Sequence, residues 1–251
     1  MPLSWTVLGA GTPYPRPGNA CSGYLLAAGE QRVWVDAGPG TLANLQRHTA
    51  LTRLSAVWVS HMHADHSADL LAAYYALAYG GLAPKARLPV FGPAGWAGRL
   101  AGFLGKPGPG FLDRVFEVRE LHDGHQAGLG DLRLTARAVH HEVEAYALRA
   151  TCDGHTLAYS GDTGPCRELA ELAAGADLLV CEAGAAGRQA GTPQWHQTPE
   201  DAGELARRAG AGRLLVTHVT PSLTPEEAVR RAARVFGGPT LAAREGDVHT
   251  A

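Results

Sequence analysis

Short apolar runs, each closed by glycine, proline or a polar side chain, alternate with helix-like segments along most of this chain. Runs of this kind are typical of buried strands, and the helices between them favour a layered α/β architecture over separate all-β and all-α parts. The predicted strands are residues 4–8, 22–27, 32–36, 56–59, 132–139, 146–151, 157–160, 177–181 and 213–217.

Four predicted helices accompany these strands. Two of them cover residues 41–48 and 67–79, and two later ones begin at Thr198 and Thr224. Each of these threonines is followed by proline and two acidic residues, the pattern of a capping box at the positive end of a helix dipole. Glycine and proline are frequent between residues 80 and 110, which predicts loops with one short helix and a segment that could form a rim or lid.

Residues 61–66, with the sequence His-Met-His-Ala-Asp-His, directly follow the apolar run 56–59. Residues two apart in an extended segment face the same way, so His61 and His63 can hold one cation together. The chain then turns into a helix, which makes Asp65 and His66 face a second cation. Four ligand-type side chains in six positions are unusual for surface or capping residues, so we interpret this loop as part of a dinuclear metal site.

The composition limits the class of protein. With 251 residues, 45% of them hydrophobic, the chain can bury a substantial core, and we expect one domain over residues 1–251. A net charge of −2 gives no global reason to bind nucleic acid or an anionic membrane. The first residues resemble a strand rather than a signal peptide, and the four cysteines lack Cys-x-x-Cys spacing. We therefore expect a cytoplasmic protein with reduced thiols and no membrane partner.

Further metal ligands should come from other strand ends, where α/β proteins collect their functional groups. His140 and His141 follow one predicted strand, Asp162 follows another, and His218 follows a third. The position of the histidine pair leaves both of its members open as ligands. Asp36 also ends a strand, where it could orient a ligand histidine or form a turn before glycine.

These motifs together resemble the metallo-β-lactamase superfamily. Residues 7–13, 35–40 and 157–163 also match landmarks of that family, so the resemblance spans nearly the whole chain. It implies a four-layer αββα sandwich with two metals at one edge, between the sheets. The implied ligands are His61, His63 and His141 for one ion, Asp65, His66 and His218 for the other, and Asp162 as a bridge. The positions of Tyr146 and Arg149 relative to the family pattern favour His141 over His140.

Within the superfamily the chain is most similar to the ribonuclease Z group and the small cyclic nucleotide phosphodiesterases. Asp162 stands where secreted β-lactamases often have cysteine, and His196 stands where these phosphodiesterases carry a histidine near the scissile phosphate. The resemblance implies attack by a metal-bridging hydroxide, with Asp65 orienting or deprotonating this nucleophile and His196 assisting the leaving group. The alternative for His196 is a histidine that only packs at a helix entrance.

Only twenty residues separate His141 from Asp162, enough for two strands joined by a hairpin at Asp153 and Gly154. The long tRNA-gripping arm that the resemblance to ribonuclease Z places there cannot fit. We therefore expect a small anionic substrate, a phosphodiester such as a cyclic nucleotide, rather than nucleic acid. Imidazole and carboxylate donors favour Zn²⁺, although Mn²⁺ and Fe accept the same ligands.

Other functions remain open on the same residues. They are a ribonuclease Z-type tRNA endonuclease, a lactonase, a thioesterase, a β-lactamase and a non-catalytic metal-binding protein. A di-iron redox protein is disfavoured because no flavin-binding or electron-transfer domain accompanies the core. Related proteins often pair, so a homodimer is a further expectation that no sequence feature locates.

Overall fold

The computed structural model describes residues 2–82, 86–188 and 190–251. In chain order its strands are β1 (Ser4–Gly9), β2 (Gly23–Ala28), β3 (Gln31–Ala37), β4 (Ala56–Trp58), β5 (Leu88–Gly92), β6 (Phe116–Glu120), β7 (Gln126–Leu129), β8 (Leu132–Ala138), β9 (Tyr146–Cys152), β10 (His155–Tyr159), β11 (Leu178–Glu182), β12 (Leu214–Thr217), β13 (Thr240–Ala242) and β14 (Val248–Thr250). Its α-helices are α1 (Thr41–Leu45), α2 (Ala64–Ser67), α3 (Asp69–Tyr79), α4 (Trp96–Phe103), α5 (Arg167–Leu172), α6 (Pro199–Ala209) and α7 (Pro225–Phe236). Short 3₁₀ helices cover Leu51–Arg53 and Pro109–Arg114.

These described strands form two seven-stranded mixed sheets. The first has the order β14-β1-β2-β3-β4-β5-β6 and the second the order β13-β12-β11-β10-β9-β8-β7. Strands β3 to β6 pair in parallel in the first sheet, and strands β10 to β13 do so in the second. The carboxyl ends of parallel strands meet at one edge, so the loops after β3, β4, β10, β11 and β12 can contribute to one site.

Three apolar clusters define four layers. A central cluster joins the inner faces of both sheets, where Trp5 stacks on Tyr24 at 4.8 Å and Tyr24 meets Tyr159 edge-on at 5.2 Å between ring centroids. A second cluster packs α1, α3 and α4 on the outer face of the first sheet. A third packs α5, α6 and α7 on the outer face of the second sheet. The predicted αββα sandwich is therefore confirmed.

The expectation for residues 80–110 was wrong in its main point. The buried segment Leu88–Gly92 is an internal parallel strand between β4 and β6, not a loop, rim or lid. The strand is short and contains a proline, so its sequence lacks the long apolar run that is typical of a strand with neighbours on both sides. Helix α4 is the predicted short helix, and residues 83–85 of this segment lie outside the described residues.

The other local predictions hold with changed boundaries. Helix α1 stops at Leu45, short of residue 48, and the helix predicted for residues 67–79 is split into α2 and α3. Thr198 forms both hydrogen bonds of a capping box with Asp201, and the hydroxyl of Thr224 accepts from the backbone N–H of Glu227. The four cysteines are free thiols, as expected. Among the described residues, no helix combines the length and apolar character that a bilayer crossing requires.

Candidate metal centre

The loop after β4 brings the first three histidines together. Its residues stay extended up to His63, which caps α2 with a φ of −68° and a ψ of 150°. His61 and His63 therefore face the same way, with Nε2 of His61 3.1 Å from Nδ1 of His63. The first turn of α2 then directs Asp65 and His66 to the opposite side. Gly38 permits this packing, because a Cβ atom there would lie 2.1 Å from the carbonyl oxygen of Asp65.

Two triads of ligand-type side chains result. In the first, Nε2 of His141 lies 3.2 Å from Nδ1 of His63, beside His61. In the second, the Asp65 carboxylate lies 3.9 Å from Nε2 of His66 and 4.0 Å from Nε2 of His218. Six of the seven residues predicted as metal ligands thus converge on one edge of the sandwich.

Asp162, just after β10, lies between the two triads. Its carboxylate oxygens are 3.7 Å from Nε2 of His61, 3.3 Å from Nε2 of His66 and 3.1 Å from Nε2 of His218. One carboxylate therefore faces histidines of both triads, which is the position that a bridging ligand requires.

The outer nitrogens of four histidines are bonded to the surrounding protein. Nδ1 of His66 donates to the Asp36 carboxylate at 2.7 Å, and Nδ1 of His141 donates to the carbonyl of Trp195 at 2.9 Å. Nδ1 of His61 pairs with the hydroxyl of Ser60 at 3.0 Å, and Nδ1 of His218 with that of Ser22 at 2.8 Å. Asp36 and the Trp195 carbonyl only accept hydrogen bonds, so in the neutral rings of His66 and His141 the lone pair of Nε2 faces the centre.

Two atoms in the centre are buried without a hydrogen-bond partner among the described residues, Nε2 of His66 and Oδ1 of Asp162. Buried polar atoms are rarely left unsatisfied, because each costs about 1–3 kcal/mol. A cation between this nitrogen and this oxygen would satisfy both atoms at once. The donor set and its unsatisfied atoms therefore fit divalent metal ions.

The protonation equilibria also favour a cation here. Burial lowers the pKa of His61 and of His141, which keeps both rings in the neutral form that binds metals. Burial alone would also lower the pKa of His66, but the charges of Asp162 and Asp36 raise it well above its ordinary value. Burial opposes ionisation of Asp162, yet the charges of His218 and His66 hold its pKa well below the usual range. The space between these groups thus attracts positive charge.

Both alternatives for Asp36 describe the structure. Its backbone takes a left-handed turn with a φ of 55°, and its carboxylate bonds to His66, to the hydroxyl and backbone N–H of Ser60, and to the hydroxyl of Tyr159. Asp36 therefore ends β3 and orients a histidine of the centre at the same time.

His140 and His141 have different surroundings. The exposed ring of His140 lies against Trp195, with 4.8 Å between centroids, and its backbone pairs with Thr163 and Gly164. The ring of His141 is buried in the first triad. The geometry thus places His141, not His140, among the candidate ligands.

His196 adjoins the centre. Its Nδ1 lies 3.0 Å from the buried carboxylate of Glu182 and 3.9 Å from that of Asp162. Its ring is nearly parallel to that of His218, with 5.7 Å between centroids. Burial lowers the pKa of His196, but the hydrogen bond and charge of Glu182 outweigh burial and raise it to about 9.

Sequence reasoning missed Glu182. This fully buried residue ends β11, and its carboxylate also accepts the backbone N–H groups of Thr163 and Gly184. The available signal was an acidic residue directly after the apolar run 178–181, the same pattern that revealed Asp162. Ser22 and the carbonyl of Trp195 left no such signal, because they lie far along the chain from the histidines they bond.

The fold and the centre define a class of protein. Two face-to-face mixed sheets flanked by helices, with His and Asp clusters suited to metal ions at one edge, form a metallo-β-lactamase fold. A family model described as "Beta-lactamase superfamily domain" matches residues 31–219. The chain therefore belongs to the β-lactamase superfamily, and its named relatives support a metal-dependent hydrolase.

Three relatives resemble the chain over almost its whole length. An uncharacterized protein of Mycobacterium leprae, ML1173, is 37% identical over 96% of this chain and 86% of its own. The probable metallo-hydrolase YhfI of Bacillus subtilis is 30% identical over 97% and 98% of the two chains. A ribonuclease Z of Mycobacterium bovis is 32% identical over 94% of each.

Solved structures show the same fold. The metallo-β-lactamase fold protein YhfI of Bacillus subtilis superposes with a TM-score of 0.87 at 28% identity, covering all of both chains. The short form of human tRNase Z gives 0.76 at 19% identity, over 98% of each chain. A diphosphatase of the PhnP family gives 0.75 at 20% identity, over 98% and 97%.

Proposed function

We propose that this protein is a dinuclear metal-dependent phosphodiesterase that acts on small phosphodiesters such as cyclic nucleotides. The observation that carries the proposal is the position of Asp162, whose oxygens lie 3.1–3.7 Å from histidines of both triads. In this proposal the triad of His61, His63 and His141 holds one divalent cation, and the triad of Asp65, His66 and His218 holds the other.

The chemistry of the donors supports two zinc ions, although Mn²⁺ and Fe suit the same groups. When bound, the cations supply Lewis-acid polarisation of a phosphate and lower the pKa of a water molecule. Among the proposed ligands the negative charges are those of Asp65 and Asp162, so two divalent cations would leave this ligand set with a net positive charge that favours an anionic substrate. A phosphodiester meets this requirement, and a neutral ester does so less well.

Asp65 is the residue that we propose as proton acceptor for the attacking water. Its carboxylate is partly exposed, unlike that of Asp162, and the hydroxyl of Thr12 donates to it at 3.2 Å. This hydrogen bond fixes the carboxylate while leaving its other oxygen available. Removing a proton from water by a positioned carboxylate contributes about 10²–10⁴-fold to rate.

His196 is the proposed proton donor to the leaving oxygen. Glu182 occupies Nδ1 of this ring, so Nε2 is the nitrogen that we assign to proton transfer. The ring is partly exposed and lies 5.2 Å from the ring of His141 and 5.7 Å from that of His218, measured between centroids. The ring therefore lies close to both triads, within reach of a phosphodiester bound there.

The segment between His141 and Asp162 supports a small substrate. Strands β9 and β10 follow one another through Asp153 and Gly154, whose φ values of 51° and 81° suit a tight hairpin. The described chain thus has no arm at this position that could grip a tRNA. Ribonuclease Z activity is the second candidate, and its support is the relative of that name at 32% identity.

A substrate panel with matched variants tests the proposal. Metal-loaded protein would be assayed against cyclic nucleotides, bis(p-nitrophenyl) phosphate, a precursor tRNA, a lactone, a thioester and a β-lactam. We expect turnover of the small phosphodiesters, and loss of metal content together with activity in Asp162→Ala and His63→Ala. Turnover of only the lactone or β-lactam, or full activity of a metal-free Asp162→Ala protein, would refute the proposal.

A further inference from the structure

A cavity of about 370 Å³ adjoins His196 on the side of the loop that follows β11. It is lined by residues 184–188 and 192–196 and by Thr220 and Ser222. Cavities of about 300–1,000 Å³ are typical binding sites for small organic groups. No role in the metal centre accounts for this space.

The loop that forms the cavity wall is held in place by Asp201. The Asp201 carboxylate accepts from the guanidinium of Arg188 and, at 2.7 Å, from the amide of Gln194. The same carboxylate closes the capping box of α6 with Thr198. The carbonyl of Trp195 accepts from His141, which ties the loop to the first triad. The cavity is therefore formed before any ligand enters it.

The wall is polar, and the two cationic side chains in it, Arg188 and His196, each have an acidic partner. Arg188 pairs with Asp201 and His196 pairs with Glu182, while Thr220 and Ser222 offer uncharged hydroxyl groups. Gly184 keeps the wall next to His196 free of a side chain, because a Cβ atom there would lie 2.7 Å from Nδ1 of His196. A second phosphate in this space would find no cation without an acidic partner, whereas an uncharged ring system with hydrogen-bonding groups would find polar partners in the wall.

We propose that this cavity receives the leaving group of the scissile phosphodiester and prefers an uncharged nucleoside there. The inference rests on the proposed phosphodiesterase function, in which His196 protonates the leaving oxygen. A proton donor must lie about 2.6–3.2 Å from its acceptor, so the group attached to the leaving oxygen must occupy the space beside His196. The cavity has His196 in its wall, so it is the space that we assign to this group.

The oxygen of the attacking water forms a bond to phosphorus, and the bond from phosphorus to the leaving nucleoside oxygen breaks with both electrons going to that oxygen. The leaving oxygen takes a proton from Nε2 of His196, and Asp65 takes the proton that the water loses. When the substrate is an acyclic diester, the nucleoside then departs as a neutral alcohol through the cavity; in a cyclic nucleotide the new hydroxyl group stays on the product nucleoside monophosphate.

Variants that fill the cavity test the inference. Gly187 lines it, and a Cβ atom at this position would contact nothing within 4 Å, so Gly187→Trp can fold and obstruct the space. Ser222→Trp obstructs the opposite wall as a second variant. Gly98→Trp is the matched control, because Gly98 is also open to a side chain but lies on α4, outside the first sheet.

Three diesters would be compared: a dinucleoside monophosphate, the same compound with an extra phosphate on the leaving nucleoside, and bis(p-nitrophenyl) phosphate. We expect the wild type to prefer the first over the second by about tenfold in kcat/KM. Gly187→Trp should raise KM for the dinucleoside monophosphate, with a loss of kcat/KM about tenfold larger than for bis(p-nitrophenyl) phosphate. Calorimetric titration of metal-free protein with the free nucleoside should show binding that Gly187→Trp removes and Gly98→Trp retains.

Equal losses for all diesters in both cavity variants, or no loss in either, would overturn the cavity assignment while leaving the phosphodiesterase function intact. A wild type that hydrolyses none of the three diesters would instead refute the proposed function, and the inference with it.

Discussion

Replacing Asp36 with asparagine should weaken metal binding by about 10- to 100-fold, although Asp36 is not a proposed ligand. Its carboxylate is fully buried and accepts four hydrogen bonds. Oδ1 accepts from the backbone N–H of Ser60 at 2.7 Å, and Oδ2 accepts from the Ser60 hydroxyl at 2.8 Å. Oδ2 also accepts from the hydroxyl of Tyr159 and from Nδ1 of His66, both at 2.7 Å.

The magnitude follows from these contacts. Asparagine has the same shape, but one of its two terminal groups is a donor. If the amino group replaces Oδ2, it opposes the Nδ1–H of His66 and the hydroxyl groups of Ser60 and Tyr159; if it replaces Oδ1, it opposes the backbone N–H of Ser60. At least one buried donor loses its acceptor in either case, and losing a hydrogen bond to a charged group costs about 1.5–3 kcal/mol. At about 1.4 kcal/mol per factor of ten, a loss that falls on His66 weakens metal affinity about 10- to 150-fold.

Competition with a chromophoric chelator on stripped protein would measure this affinity. Asp153→Asn is the matched control, since Asp153 shares the left-handed backbone with a φ of 51° but lies exposed on the β9–β10 hairpin. It should bind metal as the wild type does. If Asp36→Asn bound metal within about twofold of wild type and unfolded at the same denaturant concentration, the role of Asp36 in orienting His66 would be wrong.

Further predictions concern the same centre. His196→Gln should lower kcat for a cyclic nucleotide by about 10²–10⁴-fold at unchanged metal content. An unchanged kcat would show that His196 is not the proton donor. In metal-free protein, His196 with a pKa of about 9 should stabilise the fold fully below pH 6.5 and lose this contribution as pH rises to 9. Urea unfolding across this range should show the loss, and Glu182→Gln should flatten it. Gly38→Ala should lower both Tm and metal affinity, because the loop carrying Asp65 must move; calorimetry and chelator competition would measure these effects.

The sequence alone predicted the parts of the site that depend on short spacing. His61, His63, Asp65 and His66 lie within six residues of one loop, so extended-chain and helical periodicity suffice to divide them between two ions. Asp162 and His218 were identifiable as strand-end residues, but only the family resemblance assigned them to the same centre. The choice between His140 and His141 could be made only from the structure, in which the His140 ring packs on Trp195 and His141 lies in the first triad.

Three of the missed strands, β5, β13 and β14, are defined by their pairing more than by a local sequence pattern. Strand β5 lies between β4 and β6 and pairs with both. Strands β13 and β14 are three-residue strands at the sheet edges, where they pair with β12 and β1. The contact of Ser22 with His218 spans 196 residues, and that of His141 with Trp195 spans 54. Local propensity carries no information on such contacts, because tertiary packing decides them.

Backbone strain at the centre indicates that the candidate ligands are already positioned before any cation binds. Asp36 and His218 both adopt left-handed backbone, with φ values of 55° and 49°. Non-glycine residues in this region cost about 1–3 kcal/mol each, and they persist where the surrounding contacts over-determine them. Four hydrogen bonds hold Asp36, while Ser22 and Asp162 hold His218. Because the fold already bears this cost, metal binding needs little ordering of β3 and β12, and the affinity lost to ordering is small.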